Sequence, residues 1–241
     1  MERGGTATAR TATRSRFYLY MTIGFLAIAL IGFSTTFFLP LARGQFSAPP
    51  VIHLHGALLF GWLILFIVQS ALIQGRSVAT HRRLGWVGAA LCAGIVVSGV
   101  LVGLFATRRD LAAGGDDFVR GQFVNILIEM LLFGGLVAAS IVSRRDKESH
   151  KRLLILATIS VLGPAWLRLR HLLPAVPHPF VVFSLLADSL LLVVIARDWL
   201  VTKRVHPTYV WAGSAMFAFH LVELLAIRSA PWLALSRWLL S

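Results

Sequence analysis

Long apolar runs alternate with short polar, mostly basic segments along almost the whole chain. About 20 apolar residues in an α-helix cross the ~30 Å hydrocarbon core of a bilayer. Seven runs approach that length, so we predict an all-α membrane protein with a bundle of seven transmembrane helices. The predicted spans are Phe17–Leu39, Val51–Gln74, Leu84–Ala106, Gln122–Val142, Leu153–Arg168, Phe180–Ala196 and Tyr209–Ala226.

The two ends of the chain differ from the apolar middle. Residues 1–16 are polar, basic and poor in acids, which predicts a disordered tail at the membrane surface. The seven-helix transmembrane domain then covers residues 17–228. Residues 229–241 contain Pro231 near the start of a short apolar stretch with two tryptophans, which predicts a short interfacial helix.

Composition supports the membrane class and narrows the chemistry. Apolar residues make up 57% of the chain, charged residues 14%, and the mean hydropathy is +0.79, well outside the range of soluble domains. The single cysteine, Cys92, excludes an intrachain disulfide, a thiolate zinc site and covalently attached c-type haem. The net charge of +13 predicts contact with anionic lipid headgroups rather than with nucleic acid.

The distribution of basic residues predicts the orientation. Of the 23 Lys and Arg residues, 15 fall on the side that holds the N-terminus and the loops after the second, fourth and sixth spans. Loops rich in Lys and Arg stay in the cytoplasm. We therefore predict a multi-pass protein of the bacterial inner membrane with a cytoplasmic N-terminus and an external C-terminus.

A short motif occurs twice at the predicted inner face. Residues 80–84 read THRRL and residues 149–153 read SHKRL, and each opens an odd-numbered span. Thr80 and Ser149 are predicted N-caps. Basic residues in a first turn oppose the helix dipole, so another interaction must favour them. The alternatives are the anionic inner leaflet, or a bound anionic group such as a haem propionate, a quinone head or a lipid phosphate.

Polar residues from four helices fall at similar depth near the predicted outer face. They are His55, Asn125, Glu129, Asp188, His220 and Glu223. Ionisable groups inside a membrane are costly and usually face the bundle interior or a wet cavity. One interpretation is a metal site or proton relay built from His220, Glu223, Asp188 and Glu129. The other is structural, with Arg168 and Arg170 neutralising these carboxylates after a kink at Pro164.

The remaining histidines allow a haem interpretation. Haem b with two axial histidines needs neutral imidazoles on facing helices and a slot lined by small residues. The outer candidates are His55 and His171, and the inner candidates are His81 and His150. Since His53 and His55 are two residues apart, their side chains diverge by about 200° on a helix and cannot both face one interior site. We favour His55, because Gly56 and the outer polar residues lie beside it.

Several of these segments together resemble a family of uncharacterised bacterial seven-span membrane proteins. The resemblance runs from Phe17 to Trp238 and rests on HLHGALLFGW, THRRLG, SHKRLLILAT and RVHPTYVWAG. In helix number and in histidines near both faces, the chain also resembles the diheme b-type cytochromes of the ascorbate-reducible type. That second resemblance implies haem b and electron transfer across the bilayer.

Three function classes follow. The first is a haem- or quinone-linked redox component of the inner membrane. The second uses the outer layer of histidine and carboxylates, as a proton-coupled transporter or a metal-dependent membrane enzyme. The third is a structural or partner-binding membrane subunit. A retinal protein is excluded because the lysines, Lys147, Lys151 and Lys203, all lie at the inner edge and none could form a mid-membrane Schiff base.

Overall fold

The computed structural model describes residues 3–173 and 176–241, and within these ranges the chain is all-helical, without strands. The α-helices are α1 Arg3–Phe33, α2 Leu39–Ala42, α3 Pro50–Gln74, α4 Val78–Ala112, α5 Asp117–Gly121, α6 Phe123–Val142, α7 Lys147–Ser160, α8 Gly163–Arg168, α9 Pro179–Thr202, α10 Pro207–Ala226 and α11 Ala230–Leu240. A π-helical turn, Ser34–Phe38, joins α1 to α2, and a 3₁₀ turn, Leu169–His171, follows α8.

Six segments of the described chain are long and apolar enough to cross a membrane. They are Arg16–Ala42, Pro50–Gln74, Val78–Ala112, Asp117–Val142, Lys147–His171 and Pro207–Ala226. Each contains one of the predicted spans or nearly all of it. The remaining predicted span, Phe180–Ala196, lies within the 24-residue α9, part of whose side chains fall outside the described residues. The chain is thus an all-helical integral membrane protein.

The core lies between neighbouring antiparallel helices. α4 packs between α3 and α6, α7 lies against α6, and α1 contacts both α3 and α8. Ile95 of α4, Phe133 of α6 and Leu156 of α7 are completely buried there. Trp62, a tryptophan in mid-span, is also buried, and its indole N–H donates to Thr158 Oγ1 at 3.1 Å. That partner removes the cost of placing an indole N–H inside the membrane.

Two spans are irregular in the same region. The fifth is interrupted at Val161 and Leu162, just before Pro164, so the kink predicted there is confirmed. Proline lacks an N–H and its ring clashes with the preceding turn, which explains the break. The first span contains the π-helical turn after Gly32, where α1 lies directly against the backbone of Ala165 in α8.

The predicted N-caps are wrong. α7 begins at Lys147, and Asp146 caps it by accepting from the Glu148 backbone N–H at 3.0 Å. α4 begins at Val78 after Ser77. Both helices therefore start earlier than the apolar pattern indicates, because the polar first turns are themselves helical. The Ser149 side chain instead bonds to Asp146, and this hydrogen bond lowers the pKa of that carboxyl group.

The C-terminal segment forms a helix, as predicted, and α11 is tied back to the bundle. Trp232 Nε1 donates to the Gly121 carbonyl at 2.9 Å, and Arg237 pairs with Asp117 at 2.7 Å. Arg108 of α4 donates to the last carbonyls of the chain, including Ser241 O at 2.9 Å. These carbonyls have no partner within the helix, so Arg108 supplies what the helix end lacks. The interfacial position of α11 stays a prediction. Of the tail predicted to be disordered, residues 3–16 form the first part of α1.

Candidate functional site

The bundle has two ends, each with its own polar cluster. The His150 end is where α4, α7 and α10 begin, and the opposite end is where they finish. We use the name acidic cluster for Glu129, Asp188, His220 and Glu223, which lie toward the opposite end.

The acidic cluster brings together residues from three helices. His220 Nδ1 of α10 lies 3.3 Å from Asp188 Oδ2 of α9. Glu129 of α6 is close enough to interact electrostatically with both His220 and Glu223 of α10. The spacing of His220 and Glu223, three residues apart, places both on one face of α10. All four residues are only partly exposed.

The structural interpretation of this cluster assigned Arg168 and Arg170 as its counter-charges, but Arg168 makes other contacts. Arg168 donates to the Pro164 carbonyl at 2.9 Å, and its guanidinium lies 4.2 Å from the centre of the Phe33 ring. Among the described residues, no ion pair joins Arg168 or Arg170 to Glu129, Asp188 or Glu223. With three carboxylates and one imidazole, the cluster carries excess negative charge unless it binds protons or a cation.

Several buried polar atoms on the same half of the bundle lack a hydrogen-bond partner. They include Glu223 Oε1, Asn125 Oδ1, the hydroxyls of Thr35 and Thr36, and Trp166 Nε1. An unsatisfied polar atom costs about 1–3 kcal/mol when it is buried. Thr35 and Thr36 belong to the π-helical turn, and turns of this kind occur frequently at functional sites. A bound ligand, a proton or a water molecule could therefore supply the missing hydrogen-bond partners of these buried polar atoms.

The helix break in the fifth span adjoins the cluster. A Cβ built on Gly163, the first residue of α8, would lie 3.8 Å from Glu129 Oε1. Interrupted backbone at membrane depth is tolerated where it is buried in protein or lines a cavity. In many carriers, broken helices of this kind supply groups to the substrate or ion site.

The histidines near the start of α3 diverge, as the helix geometry predicts. His53 packs on the Phe46 ring with a centroid distance of 5.4 Å. His55 Nδ1 lies 2.9 Å from Ser98 Oγ of α4. Because Ser98 Oγ already donates to the Gly94 carbonyl, His55 Nδ1–H is the donor in this pair. His171 is exposed in the 3₁₀ turn, and the described residues show no contact between it and His55.

The two motif histidines come together at the His150 end. The rings of His81 and His150 are 6.3 Å apart between centroids, with planes at 89°. His150 Nδ1 lies 2.9 Å from the Ser140 carbonyl, so it carries the proton and donates. This hydrogen bond leaves the Nε2 atom of His150 as the ring nitrogen that faces away from Ser140. The structure therefore pairs the inner candidates, although 69 positions of sequence separate them.

A buried ion pair at the same end was not anticipated from the sequence. Arg152 and Asp198 are 3% and 1% exposed, and Arg152 Nη2 lies 2.9 Å from Oδ1 and 2.8 Å from Oδ2 of Asp198. Arg152 also bonds to Glu148, and its guanidinium lies 5.4 Å from the Tyr209 ring centre. Arg197 and Lys151 lie over the Tyr18 ring. This network, which we call the basic-end lock, joins α1, α7, α9 and α10.

The basic-end lock explains why one of the two copies of the repeated motif has an arginine in its first helical turns. In the second copy the arginine pairs with a carboxylate of this chain, whereas the corresponding Arg83 of the first copy is exposed. The only sequence feature that hints at this ion pair is Asp198 itself, an isolated acidic residue next to Trp199 in a basic stretch. No local spacing links it to Arg152, because the two residues are 46 positions apart.

His206 completes this end. It is the N-cap of α10, and its Nδ1 accepts from the Thr208 backbone N–H at 3.3 Å. Burial, together with the positive charge of Arg152, lowers the pKa of His206. A neutral imidazole suits this position because a protonated Nδ1 could not accept the capping hydrogen bond. Thr208 Oγ1 in turn donates to Ser149 Oγ at 3.0 Å, which ties α10 to α7.

Within residues 3–173 and 176–241, no group of three or more His, Cys, Asp or Glu residues is arranged to hold a metal ion. Comparisons with protein-family models, with curated proteins and with solved structures find no match for this chain. The class that the fold defines is an all-helical integral membrane protein, with an acidic cluster toward one end and a histidine pair with a buried ion pair at the other.

Proposed function

We propose that this protein is a proton-coupled carrier of the bacterial inner membrane, and that the acidic cluster is its proton-binding site. The proposal includes seven spans, with α9 as the sixth, a cytoplasmic N-terminus and an external C-terminus. The excess of Lys and Arg on one side supports this orientation. The acidic cluster then lies nearer the outer face.

One observation carries the proposal. Glu129, Asp188 and Glu223 converge from three helices around a single histidine, and within the described residues no arginine or lysine pairs with them. Uncompensated charge in a membrane interior is costly, so at least one proton, or a cationic ligand, belongs to the folded state. Protons shared among such groups are the usual basis of proton relays in pumps and transporters.

The arrangement of the two ends supports a carrier rather than a passive proton-binding site. The acidic cluster adjoins the helix break at Gly163, and the π-helical turn lies on the same half of the bundle. At the other end, the basic-end lock closes α1, α7, α9 and α10 against one another with charged and aromatic side chains. A carrier needs this asymmetry, because its site must be reached from one side while the other side is shut.

Infrared difference spectroscopy on the protein in oriented vesicles tests the proton site. We expect a carboxylic acid C=O band that titrates when the pH is stepped on the outer side. Glu129→Gln and Glu223→Gln should each weaken this band and, in vesicles with a valinomycin-clamped potential, lower proton uptake about 100-fold or more, as expected for loss of a group in direct proton transfer.

Asp110→Asn is the matched control. Asp110 lies near the same end of the bundle but is exposed and paired with Arg109, so its loss should change neither signal. If the band persists unchanged in both glutamine variants, neither glutamate binds the titrating proton, and the carrier proposal, which assigns proton binding to them, fails. A cluster that titrates only from the cytoplasmic side contradicts the orientation.

A second candidate function, a haem b redox component, is favoured by the histidine pair. A metal–imidazole bond is about 2 Å long, so the 6.3 Å between the His81 and His150 ring centres is compatible with two imidazoles that bind one metal ion. The hydrogen bond from His150 Nδ1 to the Ser140 carbonyl is the kind of contact that orients a ligating histidine. Bound haem would supply one-electron transfer, in agreement with the resemblance to diheme cytochromes.

A reduced-minus-oxidised spectrum of protein purified from haem-replete cells checks this candidate. We expect a Soret band that is lost in His81→Ala and in His150→Ala. His53→Ala should retain it, because His53 packs among phenylalanines at the other end of the bundle. Protein that is folded but shows no Soret band would remove haem from consideration and leave the carrier proposal untouched.

A further inference from the structure

An apolar groove runs along the surface between α4 and α6. It has a volume of about 420 Å³. Its walls are lined by small and branched apolar side chains and one cysteine, namely Ala89, Cys92, Ala93, Val96, Val97, Gly134, Val137, Ala138 and Ile141. Ala93, Val97 and Ala138 are exposed, so the groove opens sideways toward the lipid. From Ala89 to Val97 the groove follows α4 for about 12 Å.

Two guanidinium groups flank the groove at the His150 end. Arg144 Nη1 donates to the carbonyl of Ile141, which lines the groove, at 3.0 Å. Arg82 lies seven residues before Ala89, which is two helical turns, and so projects from the same face of α4. Both arginines are exposed. Trp86, 77% exposed, lies one turn beyond Arg82, at the depth where tryptophan marks the membrane interface.

We propose that this groove binds one phospholipid with an anionic headgroup. The phosphate lies between Arg82 and Arg144, and the upper part of one acyl chain follows the groove past Ala89 and Ala138. Arginine suits this role because its planar fork can hold two phosphate oxygens at once. The acyl chain lies against small side chains, and these allow it to approach the helix backbones closely enough for many van der Waals contacts.

Charge separates this occupant from a second copy of the chain. Small residues on a lipid-facing helix are also typical of helix–helix contacts. In a two-fold dimer through this groove, however, Arg82 and Arg144 of one copy would face the same residues of the other. The carboxylates that follow Arg144 most closely in the sequence have other partners, since Asp146 is the N-cap of α7 and Glu148 pairs with Lys151 and Arg152. Arg82 and Arg144 therefore favour an anionic partner in the groove over a second copy of the protein.

Native mass spectrometry of the delipidated protein with added phosphatidylglycerol or phosphatidylcholine tests the proposal. We expect one phosphatidylglycerol retained per chain and no such retention of phosphatidylcholine. A basic residue near an anionic lipid contributes a factor of about five in affinity. The double variant Arg82→Gln/Arg144→Gln should therefore bind about 25-fold more weakly, whereas the control Arg76→Gln/Arg204→Gln, with exposed arginines at the same end, should bind normally.

A second variant fills the groove without changing charge. Ala93→Leu/Ala138→Leu should displace the retained lipid, and because both positions are exposed the fold should tolerate it. Equal retention of the two lipids, unaffected by the arginine changes, would overturn the proposal. A dimer that dissociates in the leucine variant would overturn it as well, because the groove would then be a contact between chains.

Discussion

Replacing Asp198 with Asn should lower the free energy of unfolding by about 3–5 kcal/mol, the usual cost of breaking a buried ion pair. The carboxylate of Asp198 accepts from Nε of Arg152 at 3.1 Å and from Nη2 at 2.9 and 2.8 Å. An amide keeps the shape but removes the charge, so the guanidinium stays buried without its main counter-charge. Unfolding in mixed micelles, followed by tryptophan fluorescence, measures the difference.

The exposed pair of Arg237 and Asp117 provides the control. Its N–O distance is similar, 2.7 Å, but its side chains are 57% and 52% exposed. Exposed pairs contribute about 0–1 kcal/mol, so Arg237→Gln should have little effect. The double variant Arg152→Met/Asp198→Leu should recover much of the lost stability, because no uncompensated charge remains. If Asp198→Asn and Arg237→Gln cost the same, the basic-end lock does not hold the helices together.

Replacing Gly32 with Ala should be the most damaging single-methyl change in α1. A Cβ at this position would fall on the backbone carbonyl of Ala165 in α8, and a backbone cannot move aside as a flexible side chain can. Overpacking a well-packed contact costs about 1–3 kcal/mol even where side chains can adjust. We expect a loss at or above the upper end of that range, measured as the shift of the thermal unfolding midpoint in detergent.

Gly24→Ala is the control, because it makes the same substitution on α1 at a position that does not contact α8. Nothing lies within 4 Å of a Cβ at Gly24, and alanine favours the helix over glycine by about 1 kcal/mol. This variant should be as stable as the parent or slightly more so. Equal stability of the two variants would show that α1 and α8 do not touch at Gly32.

The Arg152–Asp198 ion pair and the contact between Gly32 and Ala165 lie toward opposite ends of the bundle. α8 begins at Gly163, beside Glu129, so a displaced α8 should also disturb the acidic cluster. In Gly32→Ala protein that still folds, the carboxylic acid signal of the cluster should shift. The lock, in contrast, can be weakened without touching Glu129, because Arg152 and Asp198 lie at the other end of the bundle.

Much of the fold follows from local pattern. Six of the predicted spans fall on helices long and apolar enough to cross a membrane, and the break before Pro164 was predicted because proline cannot continue the backbone ladder. The N-caps were missed because apolar periodicity marks where burial begins, not where the helix begins. The first turns at Val78 and Lys147 are polar and still helical.

For the candidate site, the sequence predicts only how deep each polar residue lies in the membrane. Counting residues from a span end places Glu129, Asp188, His220 and Glu223 at one level, since a helix rises by a fixed amount per residue. Depth does not give rotation about the helix axis relative to a neighbour. For that reason the sequence left open whether Arg168 pairs with these carboxylates or, as the structure has it, with the Phe33 ring and the Pro164 carbonyl.

By itself, the sequence determined that the chain belongs in a membrane, because a solvent without hydrogen-bonding groups selects apolar helices whatever their neighbours. Only the tertiary structure decided which polar groups meet. It pairs Arg152 with Asp198, 46 positions away, and His81 with His150, because these contacts depend on how separate helices pack. The packing of helices depends on many interhelical contacts together, so it cannot be predicted from any short segment of the sequence.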